Sequence, residues 1–424
     1  RDRMIRVAFL QASMPVGGAE RLVQSLMRAL DPGRIGTLSI NLYEPGAVGE
    51  LLAAEGREVV SGLAGHRFDP RVGGRLARAL EAARADIVYV TDSAMPMFWA
   101  GWLRRRRERP RLVVGFHSTG KPDDWLQHAL ARASAIPVAD RCVALAPSHE
   151  IHLIDRLKVD PGRVTVIGSG VDLERFRPAG DRVSAKRAAG FGADEPLVGM
   201  VAALRPEKNH GMFLRMAARV ASEAPAARFL VIGEGPERLR LEALARDLRL
   251  EGHVQFLGAR DDMPGLLRAL DVVVLCSLPV VETFPVSLLE ALATGVPVVS
   301  TRVGSIADIV EEPGTGLLVA PGDEAALAGA VGRLLADPAL RGRMGQAARA
   351  RAEERFDQRD MIAAYARLFE EVARPGARAG GCASTPDTST PCSAAARSSS
   401  RAAPRSSRRC SRAGSRAGAS RSRP

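Results

Sequence analysis

No stretch of this 424-residue chain is apolar for long enough to cross a bilayer as a helix, which argues against membrane-spanning helices. The first ten residues, Arg1 to Leu10, lack a signal-peptide pattern and read as a first strand, with Met4 as a natural start. The five cysteines form no CxxC pair and no Cys/His ligand spacing, so neither a zinc module nor a disulfide framework is indicated. Cys142 and Cys276 lie in apolar, strand-like runs where a thiol acts as a small hydrophobe, and Cys382, Cys392 and Cys410 fall near the C-terminus. A reduced, cytoplasmic setting is the simplest reading. There is also no Gly-x-Ser-x-Gly elbow, no GxxxxGK[ST] loop and no hydrophobic run ending in Asp-x-Asp. Serine-hydrolase, P-loop and Asp-x-Asp metal-diphosphate chemistries are therefore unsupported. Gly233-Glu-Gly235-Pro and Gly168-Ser-Gly170-Val each follow a strand but lack the third glycine of a dinucleotide fingerprint. The first reads as a nucleotide-edge loop and the second as an interdomain turn.

A net charge of +12 suggests a nucleic-acid partner only until it is divided. The segment from Pro375 onward holds ten Arg and one Asp, leaving about +3 for the rest, so no nucleic acid is expected as a partner. Residues 375–424 contain no Leu, Ile, Val or aromatic residue, cannot bury enough apolar surface to offset ordering entropy, and read as a disordered basic tail. Two readings of this tail stand open: a basic segment touching anionic membrane, or a non-native, frame-shifted end.

What is present is a regular alternation of apolar strands, expected at Val7–Leu10, Leu38–Leu42, Ile87–Val90, Leu112–Phe116, Val143–Ala146, Val164–Ile167, Leu197–Val201, Phe229–Ile232, Val254–Leu257, Val272–Leu275 and Val296–Ser300, with helical stretches such as Lys208–Ala221, Arg238–Asp247, Met263–Ala269 and Pro285–Ala293, interrupted by the polar, strand-free segment Arg177–Glu195. Strands alternating with helices imply parallel sheets covered on both faces. The expected architecture is α/β, with two doubly wound, Rossmann-like domains facing a deep interdomain cleft. Their expected extents are 1–177 and 178–357, with a C-terminal helix over 358–374 crossing back to the first domain.

The most informative segment is Glu282-Thr-Phe284-Pro285-Val286-Ser287-Leu288-Leu-Glu290. Pro285 suits the first position of a helix, where its missing N–H is no loss. The N–H groups of Val286, Ser287 and Leu288 would then point out of the helix start and favour phosphate. With a carboxylate on either side, a molecule carrying hydroxyls on both sides of a diphosphate, such as a nucleotide sugar, would fit. Arg205-Pro-Glu-Lys208 follows the first strand of the second domain, and two cations there suit the same diphosphate. Gly17 and Gly18, in the first βα turn, let backbone approach a ligand or merely serve the turn. His117 ends a strand and either contacts a ligand in the cleft or is a hydrogen-bonded loop histidine. Phe98-Trp-Ala-Gly-Trp102 followed by Arg104–Arg107 reads as a partly buried helix with solvated arginines, or as a membrane-surface element near a lipid-linked acceptor.

Taken together, Gly17-Gly-Ala-Glu-Arg21, Leu204-Arg-Pro-Glu-Lys-Asn, Val231-Ile-Gly-Glu-Gly-Pro, Phe256-Leu-Gly258, Glu282 to Glu290 and Gly295-Val-Pro-Val-Val299 closely resemble the family 4 glycosyltransferases of the GT-B fold. The resemblance covers most of residues 4–372. It implies a retaining transferase with no cofactor and no bound metal, moving a sugar from a nucleotide-sugar donor to a glycan, lipid-linked or small-molecule acceptor in cell-surface glycan assembly. By position, Arg205 and Lys208 would bind the diphosphate, Glu282 the donor-sugar hydroxyls and Glu290 the ribose. Gly17 and Gly18 would close on the distal phosphate, His117 would touch the sugar, and Gly233 and Gly258 would border the nucleotide. Three positions depart from the family pattern. Ala203 stands where an Arg is frequent, and extended backbone would put Arg205 on the same side. Gly168-Ser-Gly170-Val-Asp172 replaces Asn-Gly-Val-Asp, and Gly304-Ser305-Ile-Ala-Asp308 replaces a Gly-Gly loop followed by Glu. Two alternatives remain on the same fold: a nucleotide-sugar epimerase or hydrolase, and a non-catalytic binder of nucleotide sugars.

Overall fold

The structure, a computed structural model, describes residues 3–66, 69–117, 125–279 and 283–374. In the first half the elements run β1 (Ile5–Gln11), α1 (Gly18–Ala29), β2 (Ile35–Asn41), α2 (Gly46–Ala54), β3 (Glu58–Val60), α3 (Val72–Ala82), β4 (Ile87–Thr91), α4 (Ala94–Arg106), β5 (Arg111–Gly115), α5 (Trp125–Ala135), β6 (Arg141–Ala144), α6 (Pro147–Asp155) and β7 (Val164–Val166). The second half continues with α7 (Arg182–Ala188), β8 (Leu197–Val201), α8 (His210–Glu223), β9 (Arg228–Ile232), α9 (Arg238–Asp247), β10 (Val254–Gly258), α10 (Met263–Ala269), β11 (Val272–Leu275), α11 (Val286–Ala293), β12 (Val298–Thr301), α12 (Ile306–Ile309) and β13 (Gly316–Val319). Three helices close it: α13 (Glu324–Ala336), α14 (Pro338–Arg355) and α15 (Gln358–Ala373).

The strands form two parallel sheets, one of seven in the order β3-β2-β1-β4-β5-β6-β7 and one of six in the order β10-β9-β8-β11-β12-β13. Their central strands are buried on both faces, as in β1 from Val7 to Gln11 and throughout β11. Strand order reverses between β1 and β4 in the first sheet and between β8 and β11 in the second. In an open parallel sheet, the crevice at the carboxyl ends of such strands is where a ligand fits.

Short edge strands were the hardest to read from sequence. β3 and β13 fall outside the expected strands. The segment expected to be a strand-free break contains α7, which begins on an Asp181 cap accepting from the Val183 and Ser184 N–H groups.

The last helix belongs with the first sheet. Tyr365 and Phe369 of α15 pack edge-on against Tyr89 of β4, with ring centroids 5.9 and 6.2 Å apart. Where the chain returns, Val171 and Asp357 form a parallel bridge: the Val171 N–H donates to the Phe356 carbonyl at 2.8 Å and the Gln358 N–H to the Val171 carbonyl at 3.0 Å. Gly170 permits this crossing, since a Cβ there would lie 2.5 Å from the Gln358 Cα.

The aromatic and basic helix α4 is a packed element. Trp99 is buried, Arg104 pairs with Asp140 at 3.1 Å, Arg107 pairs with Glu81, and the Arg106 guanidinium stacks 3.9 Å over Trp102. Among the described residues no helix is long and apolar enough to cross a membrane. Burial pushes the Cys142 thiol up to about 12 and the Cys276 thiol higher, so neither is a ready nucleophile at neutral pH.

Candidate functional site

The two switch points supply the loops that hold the candidate residues. After β1, Gly17 caps α1 in extended conformation, and Gly18 is exposed with open space where a Cβ would stand. The Glu20 carboxyl folds back over Gly17, where a Cβ would meet its oxygen at 2.3 Å. Burial raises the pKa of Glu20; the charge of Arg205 lowers it and that of Asp92 raises it. Arg205 thus faces the start of α1 from the second sheet. The neighbouring Arg21 reaches the same way, its Nη1 lying 3.7 Å from a Glu290 oxygen. The first turn of α1, just after Gly17 and Gly18, is thus brought close to Glu290 and within electrostatic reach of Arg205, which are far from it in sequence.

Arg205 is exposed and Lys208 half-buried, flanking a short 3-10 turn at Pro206–Lys208. The turn is anchored to the loop after β11 through the Leu278 N–H, which donates to the Glu207 carbonyl at 2.8 Å. The Arg205 N–H donates to the Ala203 carbonyl at 2.8 Å. That tight turn stands where an extended segment was expected; Ala203 and Arg205 are both exposed, on either side of the buried Leu204. Gly233 explains part of the loop's rigidity. It has φ +142°, and a Cβ there would lie 2.1 Å from the Ala202 carbonyl oxygen. Its N–H donates to the Gly258 carbonyl at 2.9 Å, and the Leu204 N–H donates to the Glu234 carbonyl at 2.9 Å. Gly233 and Gly258 therefore buttress the backbone that carries Arg205.

At α11, Pro285 is the cap and not the first helical residue, because its ψ of 115° is extended and places Val286 first. The Leu288 N–H is turned to the Pro285 carbonyl at 3.1 Å and its side chain is buried, so Leu288 is not one of the outward donors. Val286 and Ser287 remain half-exposed at the helix start. The Phe284 ring is buried against Phe356, with centroids 6.0 Å apart, so its side chain serves the core and not a ligand. Glu282 lies outside the described residues. Glu290 sits inside α11 with its carboxyl buried, and desolvation raises its pKa to about 7 against the opposing charges of Arg21 and Arg175.

His117 follows β5. Its backbone N–H donates to Asp92 at 3.1 Å, and its ring Nε2 meets the Tyr89 hydroxyl at 3.2 Å. Tyr89 in turn meets the Tyr365 hydroxyl at 3.3 Å. Burial lowers the His117 pKa against the charge of Asp92, so the ring is neutral at pH 7 and acts as a hydrogen-bonding group. Asp92, Tyr89 and Tyr365 were not picked out from the sequence. They lie in loops and cores whose relation to His117 is set by packing alone. The same holds for Ser148 of α6, whose hydroxyl bonds across to Ser305 at 2.8 Å and Asp308 at 2.5 Å. The departure at Gly304-Ser305-Ile-Ala-Asp308 thus makes an interdomain contact of its own.

Comparison with known proteins adds a family to this geometry. Residues 16–175 match the Glycosyltransferase Family 4 model and residues 181–351 the model for glycosyl transferases group 1. A D-inositol 3-phosphate glycosyltransferase of Salinispora arenicola is 33% identical over 332 residues, covering 70% of this chain and 73% of that protein. An N-acetyl-alpha-D-glucosaminyl L-malate synthase of Bacillus anthracis is 27% identical over 310 residues, 72% of this chain and 80% of that one. Among solved structures, Anabaena HepE in complex with UDP-glucose superposes with a TM-score of 0.77 at 22% identity, over 86% of this chain and 99% of that one; a likeness that low in identity speaks for the fold. The paired domain matches and a relative one-third identical over most of its length show that the chain is an enzyme belonging to the family 4 glycosyltransferases, with their two-domain GT-B fold.

Proposed function

We propose that this glycosyltransferase takes its sugar from a nucleotide diphosphate donor held between the two switch points, and transfers it with retention at the anomeric carbon. The observation that carries the reading is the approach of Glu290 in α11 to Arg21 in the first turn of α1, 3.7 Å apart, with the charge of Arg205 acting on Glu20 of that same turn. On this reading Glu290 accepts hydrogen bonds from the ribose, while Arg205, Lys208 and the start of α11 offset the charge of the departing diphosphate. Glu282 holds the sugar hydroxyls, and the neutral His117 offers a polar contact from the other side. The leaving phosphate takes the acceptor proton on the face it leaves, so no side chain need be the base. The cations take the place a metal would fill, and activity is expected to survive chelators. That HepE was crystallised with UDP-glucose supports testing uridine donors first.

The test is calorimetric titration of the full chain with UDP and with UDP-, GDP-, ADP- and CMP-sugars. One nucleotide class should bind, and Lys208→Ala should weaken it at least about tenfold through loss of a charge-assisted contact. Unchanged affinity in that variant would remove Lys208 from the site. Products formed with and without added acceptor separate transfer from epimerisation or hydrolysis.

A further inference from the structure

Beside the proposed donor site lies a group of side chains that the donor reading leaves unused. Arg132 of α5 has two guanidinium nitrogens, Nε and Nη2, that are buried without a hydrogen-bond partner. His149 and His152 of α6 each bury an Nε2 in the same condition. The two imidazoles lie 6.1 Å apart, centroid to centroid. For His149 the tautomer follows from its other nitrogen. Nδ1 accepts the Leu145 N–H at 3.2 Å, so in the neutral ring Nε2 carries the hydrogen and is a donor. Buried donors are nearly always satisfied in folded proteins, and an unsatisfied set in one place calls for an explanation.

These groups belong to one neighbourhood, and it adjoins the site. The charge of Arg132 acts on His152, that of Asp92 acts on Arg132 and on His149, and His117 acts on His149. The residue before His149 is Ser148, which reaches across to Ser305 and Asp308. The cluster therefore stands on the first domain's side, next to His117. Both imidazoles are held neutral: His149 falls to about 4 through burial, and His152 is lowered by burial and by the Arg132 and Arg156 charges. Arg132 is the charged member of the three, and Asp92 is the carboxylate that opposes it.

We infer that Arg132, His149 and His152 form an anion pocket for the acceptor, and that the acceptor is a small hydroxylated molecule bearing a phosphate or a carboxylate group. The inference rests on the glycosyltransferase reading above, since it assigns the second substrate of that reaction. A guanidinium edge presenting Nε and Nη2 matches the two oxygens of either group, and an Nε2–H from His149 adds a third contact. A neutral polyol would offer the two partnerless guanidinium nitrogens no charged acceptor. Consistent with this class, the two relatives described above are named for acceptors that carry a phosphate, inositol 3-phosphate, or carboxylates, malate.

The experiment uses the full chain saturated with UDP, so that the diphosphate site is filled. Inorganic phosphate and L-malate are then titrated in separate arms, followed by calorimetry and by the imidazole signals of His149 and His152. One of the two anions should bind, and the pKa of His152 should rise as negative charge arrives. Arg132→Gln should weaken that anion at least about tenfold while leaving UDP affinity unchanged. If that variant does not fold, His152→Gln replaces it, with the same direction expected. Absence of any anion binding to the UDP-loaded chain overturns the inference, and so does binding that Arg132→Gln leaves intact. Failure of UDP itself to bind would instead count against the donor reading, which the first titration reports separately.

Discussion

Replacing Glu290 by Gln tests the site through the energetics of one buried carboxyl. Its side chain is 8% exposed, and burial moves its pKa from 4.5 to about 7. Between those values the folded chain binds more protons than the unfolded chain, so stability falls as pH rises. The contribution of the protonated form is fully present below pH 4.5 and is lost as pH passes about 7. At about 1.36 kcal/mol per pKa unit, the ionised carboxylate destabilises the fold by about 3 kcal/mol at alkaline pH. Glutamine keeps the volume and removes the charge. The variant should match the parent near pH 4.5 and exceed it above pH 7, by several degrees at about 2 to 4 °C per kcal/mol. The same change should weaken UDP, because hydrogen bonds to a carboxylate are worth about 1.5 to 3 kcal/mol. Parent affinity should rise with pH through neutrality, as ribose hydroxyls require the ionised acceptor, whereas the variant should show a flat profile. Thermal unfolding across a pH series, with and without UDP, reads both effects. A variant that matches the parent near pH 4.5 but is less stable than it above pH 7 would refute the reasoning, since the charge would then be stabilising through Arg21.

Two other substitutions probe the supports of the site. Tyr365→Phe removes the hydroxyl 3.3 Å from Tyr89 and loosens the chain that ends at His117; kcat should fall about threefold to tenfold with KM for the donor and Tm nearly unchanged, and an unaltered kcat would dissociate α15 from His117. Gly170→Ala places a methyl 2.5 Å from the Gln358 Cα and should destabilise by about 1 to 3 kcal/mol, read as a lower Tm; an unchanged Tm would mean the crossing strands can part freely.

Reading the chain in one dimension worked where pattern is local. β8, β11, α9 and α10 fall on their expected bounds, because a run of Val and Leu or a regular helical period carries the signal by itself. Arg205, Lys208 and Glu290 were nominated because they stand in motifs whose order and spacing are specific; their roles belong to the proposal above. Pro285 and Leu288 were misplaced by one helical position, since φ alone does not choose between a cap and the first turn.

The amino-acid sequence by itself determined the two parallel sheets and the family. Those follow from apolar periodicity and from short motifs, which depend on neighbours along the chain. Only the tertiary structure decided that Arg21 meets Glu290, that Tyr365 stands behind His117, and that Arg132, His149 and His152 each bury ring or guanidinium nitrogens without a partner. Such meetings join residues hundreds of positions apart or on separate helices. Their energies come from desolvation and hydrogen-bond geometry, which have no one-dimensional signature until the chain is packed.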